Sequence, residues 1–161
     1  PLLLKRKFDS SPFEIGLCLS IVTVTMAVIS IFYGKISQKL SVKSIFILVF
    51  AAYAVSLVMM PFVPSWQVLL IPAVLFGAAH GINLPNIQNY IIRRISSENR
   101  GGLISLNRSV SQLGQSLGPV LGGIVFAMNA VSGVYWVFYA AAINAIIILF
   151  FLLIFIKQNS N

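Results

Sequence analysis

Acidic side chains are almost missing from this chain: Asp9, Glu14 and Glu98 are the only three among 161 residues. Charged residues of both signs make up 9%, against about 25% in a soluble domain, while 58% of the chain is hydrophobic. That balance excludes a water-soluble globular fold and fits an integral membrane protein. Cysteine is scarce too. Cys18 stands alone, so neither a disulfide framework nor a thiolate metal site can form, and within an apolar run it reads as a small buried hydrophobe. His80 is the single histidine and no acidic cluster accompanies it, so no metal and no cofactor are expected. There is no Ser/His/Asp grouping, no phosphate-cradling loop and no nucleotide fingerprint. A membrane enzyme and an ATP-driven pump both lack residues to rest on.

The charge that remains is basic. Eleven Lys and Arg give a net charge of +8, and the mean hydropathy is +0.96. The bases sit in short clusters between apolar runs, not in a stripe with interleaved aromatics. The pattern suits loops held at an anionic membrane surface and argues against nucleic acid as a partner.

Charge-free runs set the span count. Residues 15–34 carry no charge and make one span of about 20 residues. The run 44–92 is too long for one helix and breaks at Pro61-Phe-Val-Pro64-Ser-Trp66, with two prolines and an interfacial Trp. The apolar run 109–156 breaks likewise at Met128-Asn129-Ala-Val-Ser132-Gly133. The expectation is a single membrane domain, 1–161, with five spans near 15–34, 43–61, 66–91, 103–128 and 133–156. Lys35, Lys39 and Lys43, then Arg93, Arg94 and Arg100, then Lys157 fall on one side, which predicts a cytoplasmic C-terminus. Lys5-Arg6-Lys7 falls on the other side of this count. The opening Pro1-Leu-Leu-Leu is too short for a signal peptide, and the start without Met reads as a fragment of something longer. On that reading Pro1 to Leu4 end a missing first helix. Ser11-Pro12-Phe-Glu14 then starts the next, with Pro in its first turn and an acid beside it.

One stretch departs from plain apolar sequence. In Gly114-Gln-Ser-Leu-Gly118-Pro119-Val-Leu-Gly122-Gly123, glycine recurs every four residues and lines one narrow helix face. Lipid tails are as apolar as Leu, so membrane helices associate through close backbone approach, which small residues at this spacing permit. Pro119 is tolerated there because neighbours can satisfy the freed carbonyl. The stretch is either a generic packing face or a specific signature.

At these residues the chain resembles the C-terminal half of a major facilitator superfamily transporter, from the end of the seventh helix through the twelfth. Gly34-Lys-Ile-Ser-Gln38-Lys39-Leu-Ser41-Val-Lys43 is similar to the family's cytoplasmic loop motif of a Gly, then Asp-Arg, then Gly-Arg-Lys. Gln38 stands in place of the Asp and Ser41 in place of the second Gly, so the motif's charge relay is not implied here. Gly114 to Gly123 is similar to the signature of drug–proton antiporters. The first half's fourth helix carries an Arg four residues before a Gly; here Ala73 precedes Gly77. That absence and the decayed loop favour the C-terminal half over the N-terminal one. The resemblance implies an all-α integral membrane fold: five transmembrane helices of a six-helix half-bundle. It also implies a secondary transporter, working by alternating access and exporting small molecules or drugs with protons, in a bacterial cytoplasmic membrane. Its partners are lipids, a small-molecule substrate, and the missing N-terminal half or a second copy. The rival reading is a non-transporting scaffold that docks through its glycine faces.

Candidate site residues follow from polar positions inside the apolar runs. His80, Asn83, Asn86 and Tyr90 share an arc of roughly 120° at 100° per residue, too polar to face lipid. They line either a water-filled cavity or a buried hydrogen-bond network. On the next span Arg108, Gln112 and Gln115 are the cavity candidates. Arg108 either snorkels to the interface or meets an anionic substrate or a carboxylate of the missing half. Gly16, Ser20, Thr23, Ala27, Ser30 and Gly34 form a small stripe on the first span, as a helix contact or a substrate wall. Ser96 to Gly102 reads as a connecting loop, its glycines permitting a sharp turn.

Overall fold

The computed structural model describes residues 1–94, 96–127 and 133–155, and the regular structure among them is entirely helical. A short α1 (Leu2–Phe8) precedes α2 (Pro12–Lys39) and α3 (Val42–Met59). A 3-10 turn at Met60–Phe62 leads to α4 (Leu70–Arg94), α5 (Ser97–Ala127) and α6 (Gly133–Phe155). The expected break at Met128–Gly133 lies, up to residue 132, outside the described residues, as do position 156 and Lys157.

Helix starts follow local chemistry. Ser11 caps α2 with a reciprocal box: its Oγ accepts from the Glu14 N–H at 3.3 Å, and its own N–H donates to Glu14 Oε2 at 2.7 Å. Ser41 caps α3, accepting from the Ser44 N–H at 3.1 Å. Only Leu40 and Ser41 separate α2 from α3, so Gly34 to Lys39 of the expected loop motif is wound into the last turns of α2. Asp9, at φ 47°, ends α1 in the left-handed region that Asp tolerates. The Lys5 ammonium, hydrogen-bonded to it at 2.6 Å, holds its carboxyl below the usual carboxylate range.

The stretch 96–102 corrects the sequence reading. It is not a loop: α5 starts at Ser97 and runs through Gly101 and Gly102. Asn99 holds Ser96 through its backbone N–H (3.1 Å to the carbonyl) and its side chain (3.3 Å to Oγ), and Glu98 puts an acid on the first turn. Glycine permits a turn without demanding one, and no glycine among the described residues has positive φ. Arg108 therefore lies about 16 Å along its helix at 1.5 Å per residue, deeper than the 10 Å or so expected from a start near Gly102.

Packing is uneven. α4 lies against α2 on one side and α3 on the other, α3 also packs on α6, and α5 touches α4 and α6 only lightly. Ile45, Val49, Tyr53 and Ala54 of α3 meet Ala79 and Ile82 of α4 and Ala145 of α6 in one core. Leu3, Leu4, Cys18, Val63, Leu69 and Val134 make a second core at the other end. Large apolar side chains cover the outside, among them Ile31, Val24, Phe150 and Phe151, as a lipid-facing surface requires. Among the described residues, four helical segments are long and apolar enough to cross a membrane: Pro12–Lys39, Val42–Phe62, Leu70–Arg94 and Gly133–Ile154. α5 has the length, at 31 residues, but its polar rows leave it less apolar.

The structure accounts for Lys5-Arg6-Lys7 at the end opposite the other bases. Lys5 pairs with Asp9, the Arg6 guanidinium sits 4.5 Å from the centre of the Phe126 ring, and Lys7 Nζ donates to the Pro61 and Val63 carbonyls at 2.6 and 2.7 Å. These carbonyls end the α3 segment, so Lys7 acts as its cap. Lys7→Met is expected to destabilise the bundle by about 1 kcal/mol, read by denaturant unfolding in mixed micelles, because two carbonyls lose a charged donor. Lys7→Arg should recover most of the loss.

Candidate functional site

The polar arc of α4 divides into two groups. Toward the C-terminal end of α4 Asn86 is fully buried, at 0% exposure. Its Oδ1 accepts from the Tyr33 hydroxyl at 3.1 Å and its Nδ2 donates to the Val42 carbonyl at 3.2 Å. Asn89 Nδ2 donates to the same Tyr33 oxygen at 2.9 Å, and Arg93 Nε donates to Asn89 Oδ1 at 3.1 Å. One hydrogen-bonded chain thus ties α2, the start of α3 and α4 together. Tyr90 turns to the side, edge-on to Phe46 and beneath the Arg94 guanidinium.

One and a half turns earlier, His80 is half-buried and its Nδ1 lies 2.8 Å from the Tyr53 hydroxyl of α3. Phe76 stacks on the imidazole at 6.2 Å and 7°, and Tyr53 tilts against Phe76 at 5.1 Å. The Asn83 amide is beside the Tyr53 hydroxyl, and its Oδ1 is buried with no hydrogen-bond partner. Tyr53 was not among the sequence candidates. It sits inside an apolar run 27 residues from His80, and no local pattern marks it.

The α5 candidates stand apart. Arg108 and Gln112 line an open concavity of about 620 Å³ with Ser105, Ser109, Leu113 and Ser116, all from α5 itself. Gln115 is exposed outside that lining. None of the α4 candidates lines that concavity. Some helix hydroxyls satisfy themselves: Ser111 donates to the Asn107 carbonyl at 2.8 Å, Thr23 to Leu19 at 3.0 Å and Ser30 to Ala27 at 2.8 Å. Arg108, Gln112 and Gln115 have no such outlet and no partner among the described residues.

The glycines fall in two sorts. A Cβ on Gly77 would lie 2.7 Å from the Val22 carbonyl oxygen, and one on Gly81 would fall on the Met26 carbonyl, so these two set the α2–α4 approach. Gly114, Gly118 and Gly123 have open space around them, Gly122 meets only Val137 at 3.8 Å, and α5 continues through Pro119. The stripe Gly16, Ser20, Thr23, Ala27, Ser30 and Gly34 is exposed along its length, because α2 packs on α4 with other residues. Of the loop motif, Lys39 is exposed and Lys43 Nζ donates to the Leu153 carbonyl near the end of α6 at 3.2 Å.

This arrangement is an apolar bundle with polar groups gathered between α3 and α4 and along the least packed helix. The family model for the Major Facilitator Superfamily matches residues 1–160, nearly the full chain. The chain belongs to that superfamily. Curated relatives agree. It is similar to proteins named multidrug resistance protein MdtG: 32% identical over 129 residues to that of Dickeya zeae, covering 80% of this chain and 31% of the relative. Against that of Yersinia enterocolitica it is 28% identical over 138 residues, covering 86% of this chain and 32% of the relative. For Salmonella schwarzengrund the values are 30% over 105 residues, 65% and 26%. The chain thus spans about a third of the length of the curated relatives it matches. Membership makes it an integral membrane protein of an all-helical fold, in accord with the resemblance read from the loop and glycine motifs.

Proposed function

We propose that this chain is part of a secondary transporter that exports small amphipathic molecules, including drugs, by alternating access in a bacterial cytoplasmic membrane. In such transporters the substrate binds near the midplane between repeats that rock around it. On this reading α5 also crosses the membrane, giving five spans, and the bases at the α2–α3 and α4–α5 connections put the C-terminus in the cytoplasm. His80 and Asn83 of α4, with Arg108, Gln112 and Gln115 of α5, contribute this chain's share of the cavity. Asn86, locked in its network, holds the helices that carry them. The observation that carries the proposal is the row Arg108, Gln112 and Gln115, left unsatisfied on an exposed helix face. Polar groups without partners are costly in hydrocarbon, so that face needs water, substrate or protein against it.

The transport is proton-coupled in this proposal, with the coupling carboxylate elsewhere in the protein. The three acids here cannot serve: Glu14 is engaged in the α2 cap, Asp9 pairs with Lys5, and Glu98 stands in the first turn of α5. The remainder of the transporter, or a second copy, docks on the open small faces of α2 and α5.

Single cysteines in a Cys18→Ser background of the whole transporter test the reading. Asn83, Asn86, Gln112 and Gln115 would each be replaced in turn and exposed to a membrane-impermeant thiol reagent. Gln112→Cys and Gln115→Cys should label, with protection by ethidium or norfloxacin as amphipathic probes, and Asn86→Cys should stay unlabelled. Uniform protection on α5 would mark a dry packing face and favour a scaffold.

A further inference from the structure

The transport reading takes Asn83 as a cavity residue but gives no role to its unpaired oxygen. The Asn83 Oδ1 is buried and unpaired, one turn from a histidine whose ring nitrogen is already engaged. We propose that His80, Tyr53 and Asn83 form a proton-binding site with two hydrogen-bonded states, and that the unpaired Asn83 oxygen is the acceptor which the protonated state requires.

When neutral His80 carries its ring hydrogen on Nε2, Nδ1 is bare and accepts from the Tyr53 hydroxyl across their 2.8 Å contact. Asn83 Oδ1 then has no donor. A proton arriving from hydronium forms an N–H bond at Nδ1 and leaves water; Nε2 keeps its own hydrogen. Both ring nitrogens are now donors, so Tyr53 can only accept from His80 and must send its own O–H elsewhere. The Asn83 amide, beside that hydroxyl, turns its Oδ1 to receive it. No proton leaves Tyr53, and one proton is gained overall. Each state pairs Tyr53 with His80, and the protonated one also satisfies Asn83. Those are the parts of a two-state element biased by a proton.

The surroundings leave the histidine to this partnership. Tyr53 is the ionisable group touching it from α3, and Phe76 covers one ring face. α2 carries Glu14 and Cys18 toward one end and Tyr33, Lys35 and Lys39 toward the other, and α5 carries Glu98, Arg100 and Arg108. No hydrogen bond or ion pair among the described residues joins any of these to His80. Tyr53 and Asn83 are positioning residues in this scheme, and His80 is the group that binds the proton.

Infrared difference spectroscopy of the lipid-reconstituted protein, taken from about pH 8 to about pH 5, reads all three groups. Imidazolium bands should appear and vanish in His80→Gln. A downshift of a side-chain amide carbonyl should accompany them and be lost in both Asn83→Leu and Tyr53→Phe, while the imidazolium bands persist. Tyr53→Phe keeps the ring in the core, and Asn83→Leu is an independent route to the same loss should one variant fail to fold. Imidazolium bands without an amide shift, an amide shift that survives Tyr53→Phe, or no titration of His80 in this range would each overturn the proposal. The readout needs no transport, so failure of the export reading leaves it standing, and its failure leaves export untouched.

Discussion

Gly81→Ala is expected to destabilise the bundle by about 1–3 kcal/mol, a large effect for one methyl group. The new Cβ would fall on the Met26 carbonyl of α2, and backbone cannot yield as the end of a flexible side chain can. One turn away, a Cβ on Gly77 would come to 2.7 Å from the Val22 carbonyl oxygen, so the two glycines limit the same interface over successive turns. α2 can relieve the contact only by moving off α4, and that strains the Tyr33–Asn86 bond that joins them at 3.1 Å. Gly81→Leu should leave little folded protein. The controls are Gly16→Ala and Gly101→Ala, where nothing lies within 4 Å. There the usual helical preference for Ala over Gly should give neutral or slightly stabilising changes, up to about 1 kcal/mol. Unfolding in mixed micelles decides. Equal behaviour of Gly81→Ala and Gly16→Ala would mean the helices are not in contact as described.

The contrast between these glycines shows what the sequence could carry. Four-residue spacing marks Gly77/Gly81 and Gly114/Gly118/Gly122 alike, yet one pair is sealed against a neighbour and the other face is open. Spacing says that a face is narrow; what lies against it depends on helices far away in the chain. Local chemistry was legible. Pro12 and Glu14 in the first turn made the start of α2 readable, and the structure adds that Ser11 and Glu14 close a capping box there whatever the rest of the fold does. Ser96 to Gly102 was misread because glycine only permits the turn it was taken to signal. The polar arc of α4 was visible from its period, but its division into a Tyr33–Asn86–Asn89 network and a Tyr53–His80 pair was not, since both tyrosines come from other helices. Lys5-Arg6-Lys7 looked misplaced by charge counting alone. The carbonyls that absorb Lys7 belong to residues 61 and 63, more than fifty positions away.

Gly118→Leu should behave in the opposite way from Gly81→Leu. A Cβ at Gly118 meets nothing within 4 Å, and the helix around it is exposed, so the bundle of this chain should keep its stability within about 0.5 kcal/mol. On the proposed reading, transport by the whole protein should nevertheless fall by a factor of about 100, which corresponds to about 2.7 kcal/mol of lost helix docking. The reasoning is the narrow face itself. Three glycines in register leave a narrow strip of α5 without side chains between residues 114 and 122, which exposes backbone at a cost in helix propensity of about 1 kcal/mol each. Such a face is useful only where another backbone comes close, and among the described residues none does. Gly118→Ala should be intermediate, because a methyl group leaves room for a looser crossing. Efflux of ethidium from cells making each variant, set against the amount of folded protein in their membranes, separates a docking defect from a folding one. Full transport by Gly118→Leu would mean that the face meets only lipid. The docking of α2 and α5 against the rest of the transporter would then have to rest on other residues.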